Sequence, residues 1–289
     1  MFKRVDMIID SHTHLFSDEQ ISRRKELSRN DENFNSIYSS VKTKMANAED
    51  LLESMHQANV DMSVIMGFHW KEKVHFDSHA KYLISQQQNY PDKFICFVPL
   101  YINNFNEIKV KIEDMHKAGV KGFGEIRIDN EIKEKDLLHK ILPELFQVLN
   151  MFSMKINFHT SELIGHNYNG KENGLTLSLL WQMINSYDFD IIASHFGAGI
   201  PIYQFMPFVK KKIQESKMRF DTAAFSLLYD SEVLELAIKS LGTKKFFWGS
   251  DFPLVDQSRD LILMKKLNIN QNSLNAVLGD NIVEYLNLS

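Results

Sequence analysis

The chain has 289 residues, enough for one large α/β barrel or two medium domains, so length leaves the choice to pattern. An apolar fraction of 44%, with 21 Phe and 13 Met, fills a sizeable core and excludes a disordered chain. A formal charge of -4 gives no field that would gather nucleic acid or an anionic membrane, which leaves a small molecule as the expected partner.

In chain order, short apolar, β-branched or aromatic runs alternate eight times with stretches of helical period. The predicted strands are 7–12, 61–68, 94–100, 120–128, 155–160, 189–195, 218–224 and 245–250. The predicted helices are 46–58, 72–90, 105–118, 136–151, 174–187, 201–216, 231–241 and 256–267. Asn47 and Asn104 are placed to cap following helices, Pro91 stops the second, and Gly119 and Gly242 stand where a helix ends before the next strand. Eight strand–helix units joined by right-handed crossovers close a parallel TIM (β/α)8 barrel, here a single domain over 1–289. A doubly wound open sheet would carry a Gly-rich phosphate loop after its first strand, and Asp10-Ser11-His12-Thr13-His14 contains no glycine.

Residues 15–45, polar and mixed in charge, form an insertion after strand one and are expected to cap the face on which a barrel's active site lies. Residues 271–288 read as an extra C-terminal helix with an apolar face at Val277, Leu278, Ile282, Val283 and Leu286. The single cysteine, Cys96, lies in the apolar run Phe94–Val98 and is expected as a core residue without a disulfide. The opening residues lack a long apolar run and a cleavage site, and no segment is long enough to span a membrane, so cytoplasmic residence is the default expectation. Barrels of this kind pair through exposed helix faces, so a homodimer is open to the chain, although no segment marks the interface.

The strand ends carry the chemistry. Strand one ends His12-Thr13-His14, strand five Phe158-His159-Thr160, strand six Ser194-His195-Phe196 and strand eight Gly249-Ser250-Asp251. In a parallel barrel these carboxyl ends share one face. Residues two apart on a strand point the same way, so His12 and His14 can reach one ion. Imidazoles with one carboxylate suit a divalent metal, zinc first, with manganese, iron or nickel also compatible.

At these residues the chain resembles the amidohydrolase superfamily, in the branch that includes aminocarboxymuconate-semialdehyde decarboxylase and related metal-dependent hydrolases. The matching segments are Ile9–His14, Tyr90-Pro91-Asp92-Lys93-Phe94, Phe158-His159-Thr160, Ala193–Gly197, Trp248–Pro253 and Val277–Asn281. The resemblance implies that His12, His14, His159 and Asp251 hold the metal and that His195 acts as acid or base beside it, with Asp251 also able to accept a proton. Glu125, near the end of strand four, falls where the superfamily places a bridging ligand. The lysine of binuclear relatives is not evident there, since Lys121 begins the strand and position 124 is Gly, so one ion is favoured over two.

Around this set, Arg127 is a candidate clamp for a substrate carboxylate, His69 and Trp70 end strand two and could line the pocket, and Glu162, His166 and Tyr168 follow His159 as candidate substrate contacts. His56, His75, His79, His116 and His139 fall within helices and read as surface residues. Hydrolysis of an amide, ester or lactone by a metal-activated water is the first expectation. The alternative is non-oxidative decarboxylation of a small carboxylic acid, for which Arg23, Arg24 and Arg127 are candidate arginines. A non-catalytic metal-binding protein is less favoured, because His195 exceeds what holding the ion requires. A nuclease of the TatD type, suggested by Gly124-Glu125-Ile126, is disfavoured by the absence of a basic surplus.

Overall fold

A computed structural model describes residues 7–102, 105–128, 132–171 and 174–288; Asn104 therefore lies outside the described residues. Eight strands form one parallel sheet in the order of the chain: β1 Ile9–His14, β2 Met62–Met66, β3 Phe94–Val98, β4 Gly122–Ile126, β5 Lys155–Phe158, β6 Ile192–Ala193, β7 Arg219–Asp221 and β8 Phe246–Phe247. Backbone bonds join the two ends of this series. Ser11 N donates to Trp248 O at 2.9 Å and His14 N to Phe252 O at 2.8 Å, which brings β8 against β1 and closes the TIM barrel.

The helices follow the strands and pack outside them, because each offers an apolar stripe to the sheet. Ala48–Ala58, for example, begins at an Asn47–Asp50 capping box and buries Leu51 and Met55. Gly242, with φ +99, ends Ser231–Leu241, and Gly119, with φ +82, follows Phe105–Lys117. Both serve the chain reversals read from the sequence. The predicted helix 201–216 is divided: Ile200–Phe205 is a 3-10 segment, and Pro207 starts the α-helix Pro207–Glu215. Proline fits a first helical turn but cannot continue one. The tail runs helically over 271–286, and Cys96 is fully buried in β3.

The insertion after β1 folds into three short helices, Asp18–Ser22, Arg24–Asn30 and Glu32–Tyr38. Buried Asp31 fastens it: its carboxylate accepts from Phe34 N inside the insertion and from Lys71 N and Glu72 N after β2, each at 2.9 Å. A separate aromatic core lies beneath it, with Phe34 stacked on Trp70 at 4.8 Å and Phe16 against Tyr38 and Phe68. His79 belongs to this layer, which corrects its reading as a surface residue. It is fully buried, accepts from Trp70 Nε1 at Nδ1 (2.8 Å), and turns Nε2 to Leu15 O (2.8 Å). Burial lowers its pKa to about 4, so it is a neutral ring with one donor and one acceptor, both used.

Candidate metal centre and cavity

The carboxyl ends of the strands bring His12, His14, Glu125, His159, His195 and Asp251 together at one end of the barrel, all of them largely buried. His12 Nε2 lies 3.1 Å from His14 Nε2, and Asp251 Oδ1 lies 3.8 and 3.6 Å from these two nitrogens. Glu125 Oε1 lies 3.8 Å from His12 Nε2. The same oxygen is 2.7 Å from His159 Nδ1 and 3.0 Å from His195 Nε2, and those two nitrogens are 3.1 Å apart. Ligands at about 2.0–2.1 Å around one tetrahedral ion stand roughly 3.3 Å apart, so these separations fit donors converging on a cation. They form two groups, His12–His14–Glu125 and Glu125–His159–His195, which share Glu125.

For His12 and His195 the surroundings fix which atom the ring offers. His12 Nδ1 faces Asp221 Oδ2 at 2.9 Å, so its proton lies on that side and Nε2 is turned to the centre. His195 Nδ1 donates to Ala223 O at 3.0 Å, which likewise turns Nε2 inward. Burial opposes a charge on His12, yet Asp221, Glu125 and Asp251 raise its pKa to about 10: the pocket demands a positive charge at this point. Burial and the neighbouring His12 hold His14 down to about 3, and burial with Arg127 does the same for His159. Both are therefore neutral imidazoles, the form that binds a metal. Burial raises Asp251 to about 6, against the pull of His12 and His195. Glu125 stays well below the ordinary carboxylate range: His159, His195 and Arg127 overcome its burial.

Two of these residues occupy the left-handed backbone region, His195 at φ 54 and Asp251 at φ 68. Such conformations cost a non-glycine residue free energy and persist where the surroundings impose them, as the ends of β6 and β8 do here. Gly249 is needed for space, because a Cβ there would stand 2.8 Å from that of His12. Asp10, fully buried, accepts from His12 N and Ser250 N at 3.1 and 3.0 Å and so ties the His12 strand to the Asp251 strand.

Above the ligands opens a cavity of about 610 Å³. Its walls are largely apolar, from Ile37, Tyr38, Phe68, Leu227, Leu228 and Leu254. Arg127 enters it: Nη1 donates to Gly170 O at 2.6 Å, and Nη2 lies 3.2 Å from His159 Nδ1 and 3.6 Å from Glu125 Oε2. His166 and Tyr168 also line it. Glu162 faces a neighbouring hollow, where it accepts from Tyr168 Oη at 2.9 Å and pairs with Lys171 at 3.1 Å.

His69 and Trp70 are not brought to the cavity wall. Both are buried, Trp70 wholly inside the aromatic layer under the insertion, while Phe68 supplies the wall from this strand end. Asp221, at the end of β7, escaped the sequence reading. Besides His12 it accepts from Asn157 Nδ2 and His195 N, each at 3.0 Å, and from Ala223 N at 3.1 Å. Its position as a carboxylate at a strand end was the available signal.

The chain belongs to the amidohydrolase family, whose model matches residues 9–288. It is thus an enzyme of the amidohydrolase superfamily, the membership that its motifs suggested. No curated protein matches its sequence. Among solved structures it is similar to 5-carboxyvanillate decarboxylase from Sphingomonas paucimobilis, with TM-score 0.78 at 13% identity, covering 99% of this chain and 100% of that one. It is similar to 2,6-dihydroxybenzoate decarboxylase from Rhizobium, with TM-score 0.72 at 11% identity over 98% and 99% of the two chains. A third similar structure is a probable 2-pyrone-4,6-dicarboxylic acid hydrolase from Acinetobacter baumannii, with TM-score 0.66 at 16% identity over 97% and 99%. At these identities the likeness is one of fold. No helix among the described residues is long and apolar enough to cross a membrane.

Proposed function

We propose that the chain is a metal-dependent, non-oxidative decarboxylase of a small ring-bearing carboxylic acid. The observation that carries this reading is Arg127, whose guanidinium reaches the ligand set at the base of an apolar-walled cavity. A ring fits apolar walls, and a guanidinium fixes a carboxylate through paired hydrogen bonds. The decarboxylases of the same fold, one of them with bound manganese and an inhibitor, support the choice over hydrolysis, which the sequence alone placed first.

His12, His14, His159 and Asp251, with Glu125 beside them, would hold a divalent ion, which when bound would supply Lewis-acid stabilisation of negative charge on substrate oxygens. Zinc and manganese both suit this donor set. Arg127 holds the carboxylate. As the carbon–carbon bond breaks, carbon dioxide leaves and the electron pair stays on the ring carbon, which takes a proton. His195, whose pKa burial lowers but Glu125 and Asp251 lift on balance, and the neighbouring Asp251 are the groups placed to deliver it. Apolar walls keep bulk water from the developing carbanion.

Hydrolysis is the second reading. It is favoured by the sharing of Glu125 between two ligand groups, an arrangement suited to two ions and an activated water. The test is incubation of the metal-loaded protein with 5-carboxyvanillate, 2,6-dihydroxybenzoate and 2-pyrone-4,6-dicarboxylate. Release of carbon dioxide that Arg127→Ala abolishes supports decarboxylation; ring opening of the pyrone without carbon dioxide supports hydrolysis.

A further inference from the structure

The charges on the cavity wall are unevenly placed. Among the described residues lining it, the carboxylates are Glu125 and Asp251, each with an oxygen 3.8 Å from His12 Nε2. The cations are Arg127 near the base and Lys42 and Lys44 at the mouth. Both lysines are exposed, and among the described residues neither ammonium has a carboxylate partner. The lining thus joins the Arg127 guanidinium, which reaches the ligand set, and two exposed ammonium groups to a largely apolar surface.

The segment carrying the lysines is braced from behind. Thr43 N donates to Ser40 O at 3.1 Å, forming a turn, and Arg24 donates from Nη1 to Ser40 O at 3.2 Å and from Nη2 to Thr43 O at 2.9 Å. Lys42 N also donates to Ser40 Oγ at 3.2 Å. Arg24, a candidate for the departing carboxylate on sequence grounds, thus fixes the turn that presents Lys42 and Lys44. Arg23, the third sequence candidate beside Arg24 and Arg127, pairs at the surface with Glu19 and Glu26 at 2.6 Å.

We infer that the substrate is a dianion: a ring with one carboxylate directed to Arg127 and the ligand set, and a second anionic group held at the mouth by Lys42 and Lys44 of the insertion. This rests on the reading of Arg127 as the inner carboxylate anchor. The insertion is then a specificity element as well as a cover, selecting for charge at the far end of a ring.

The test is calorimetric binding to the purified, metal-loaded protein at low salt, using benzene-1,3-dicarboxylate and its shape-matched monoamide, 3-carbamoylbenzoate. Two exposed lysines contribute modestly, so the dicarboxylate should bind about 3- to 30-fold tighter, and the ratio should fall toward one in Lys42→Ala/Lys44→Ala. Equal binding of the two by the wild type, a ratio that survives the double substitution, or no binding of either would each overturn the inference. Carbon dioxide release is measured separately, so decarboxylation can fail while the charge preference holds, or the reverse.

Discussion

Asp221→Asn probes the centre through a residue that would not touch the metal. Asp221 Oδ1 accepts from two backbone groups, His195 N and Ala223 N, which an amide oxygen can still serve. Oδ2 accepts from His12 Nδ1 at 2.9 Å and Asn157 Nδ2 at 3.0 Å, and in the variant an NH2 faces both donors. His12 can relieve the conflict by moving its proton to Nε2, but that removes the lone pair offered to the cation. Loss of such a partner weakens metal binding by about 10- to 100-fold, or roughly 1.4–2.7 kcal/mol at 1.36 kcal/mol per tenfold. Chelator competition on wild type and variant measures it, with circular dichroism of the metal-free proteins as the check on folding. Equal metal affinity in a folded Asp221→Asn protein would refute the account of how His12 is oriented.

Three further outcomes are expected. His195→Gln should keep an ion in the His12–His14 site while turnover falls roughly 10²- to 10⁴-fold; elemental analysis showing that all metal is lost would make His195 an essential ligand instead. Asp260 accepts from Trp248 Nε1 at 2.8 Å, and burial raises its pKa from 3.8 to about 6. A raised folded pKa gives stability that is complete below about 4 and lost as pH rises through about 6, so Asp260→Asn should gain on the wild type across that window, by at most about 3 kcal/mol. Denaturant titrations from pH 4 to 8 that show a flat difference would contradict it. Trp70→Ala should cost roughly 3–5 kcal/mol, because it empties a wholly buried ring site and strips His79 of its donor; an unchanged melting temperature would show that the aromatic layer does not hold the insertion.

The barrel was legible because each β-strand is a short apolar run and each following helix has its own period, so Met62–Met66 through Phe246–Phe247 fell inside the predicted ranges, while Ile9–His14 runs two residues past the predicted 7–12 and so takes both metal-site histidines into the strand. The ligand cluster was legible for a related reason: parallel strands bring their ends to one face, so His12, His14, His159, His195 and Asp251 could be grouped across 240 positions. Asp221 was harder, since a lone aspartate closing a three-residue strand looks like any helix or turn cap until His12 is seen beside it. Side-chain direction explains the remaining misses. Trp70 stands past a strand end but turns to the insertion, and His79 sits on the buried face of its helix, against Leu15 and Phe16 where that insertion begins. Local period cannot report burial created by a segment more than 30 residues away in sequence.

The central claim is that these strand ends hold a catalytic divalent ion, and metal content measured together with activity tests it most directly. The account predicts at least one divalent ion per chain in the active protein, with both metal and turnover lost in His12→Ala/His14→Ala. Full activity in metal-free protein, or full metal content in the double variant, would contradict it.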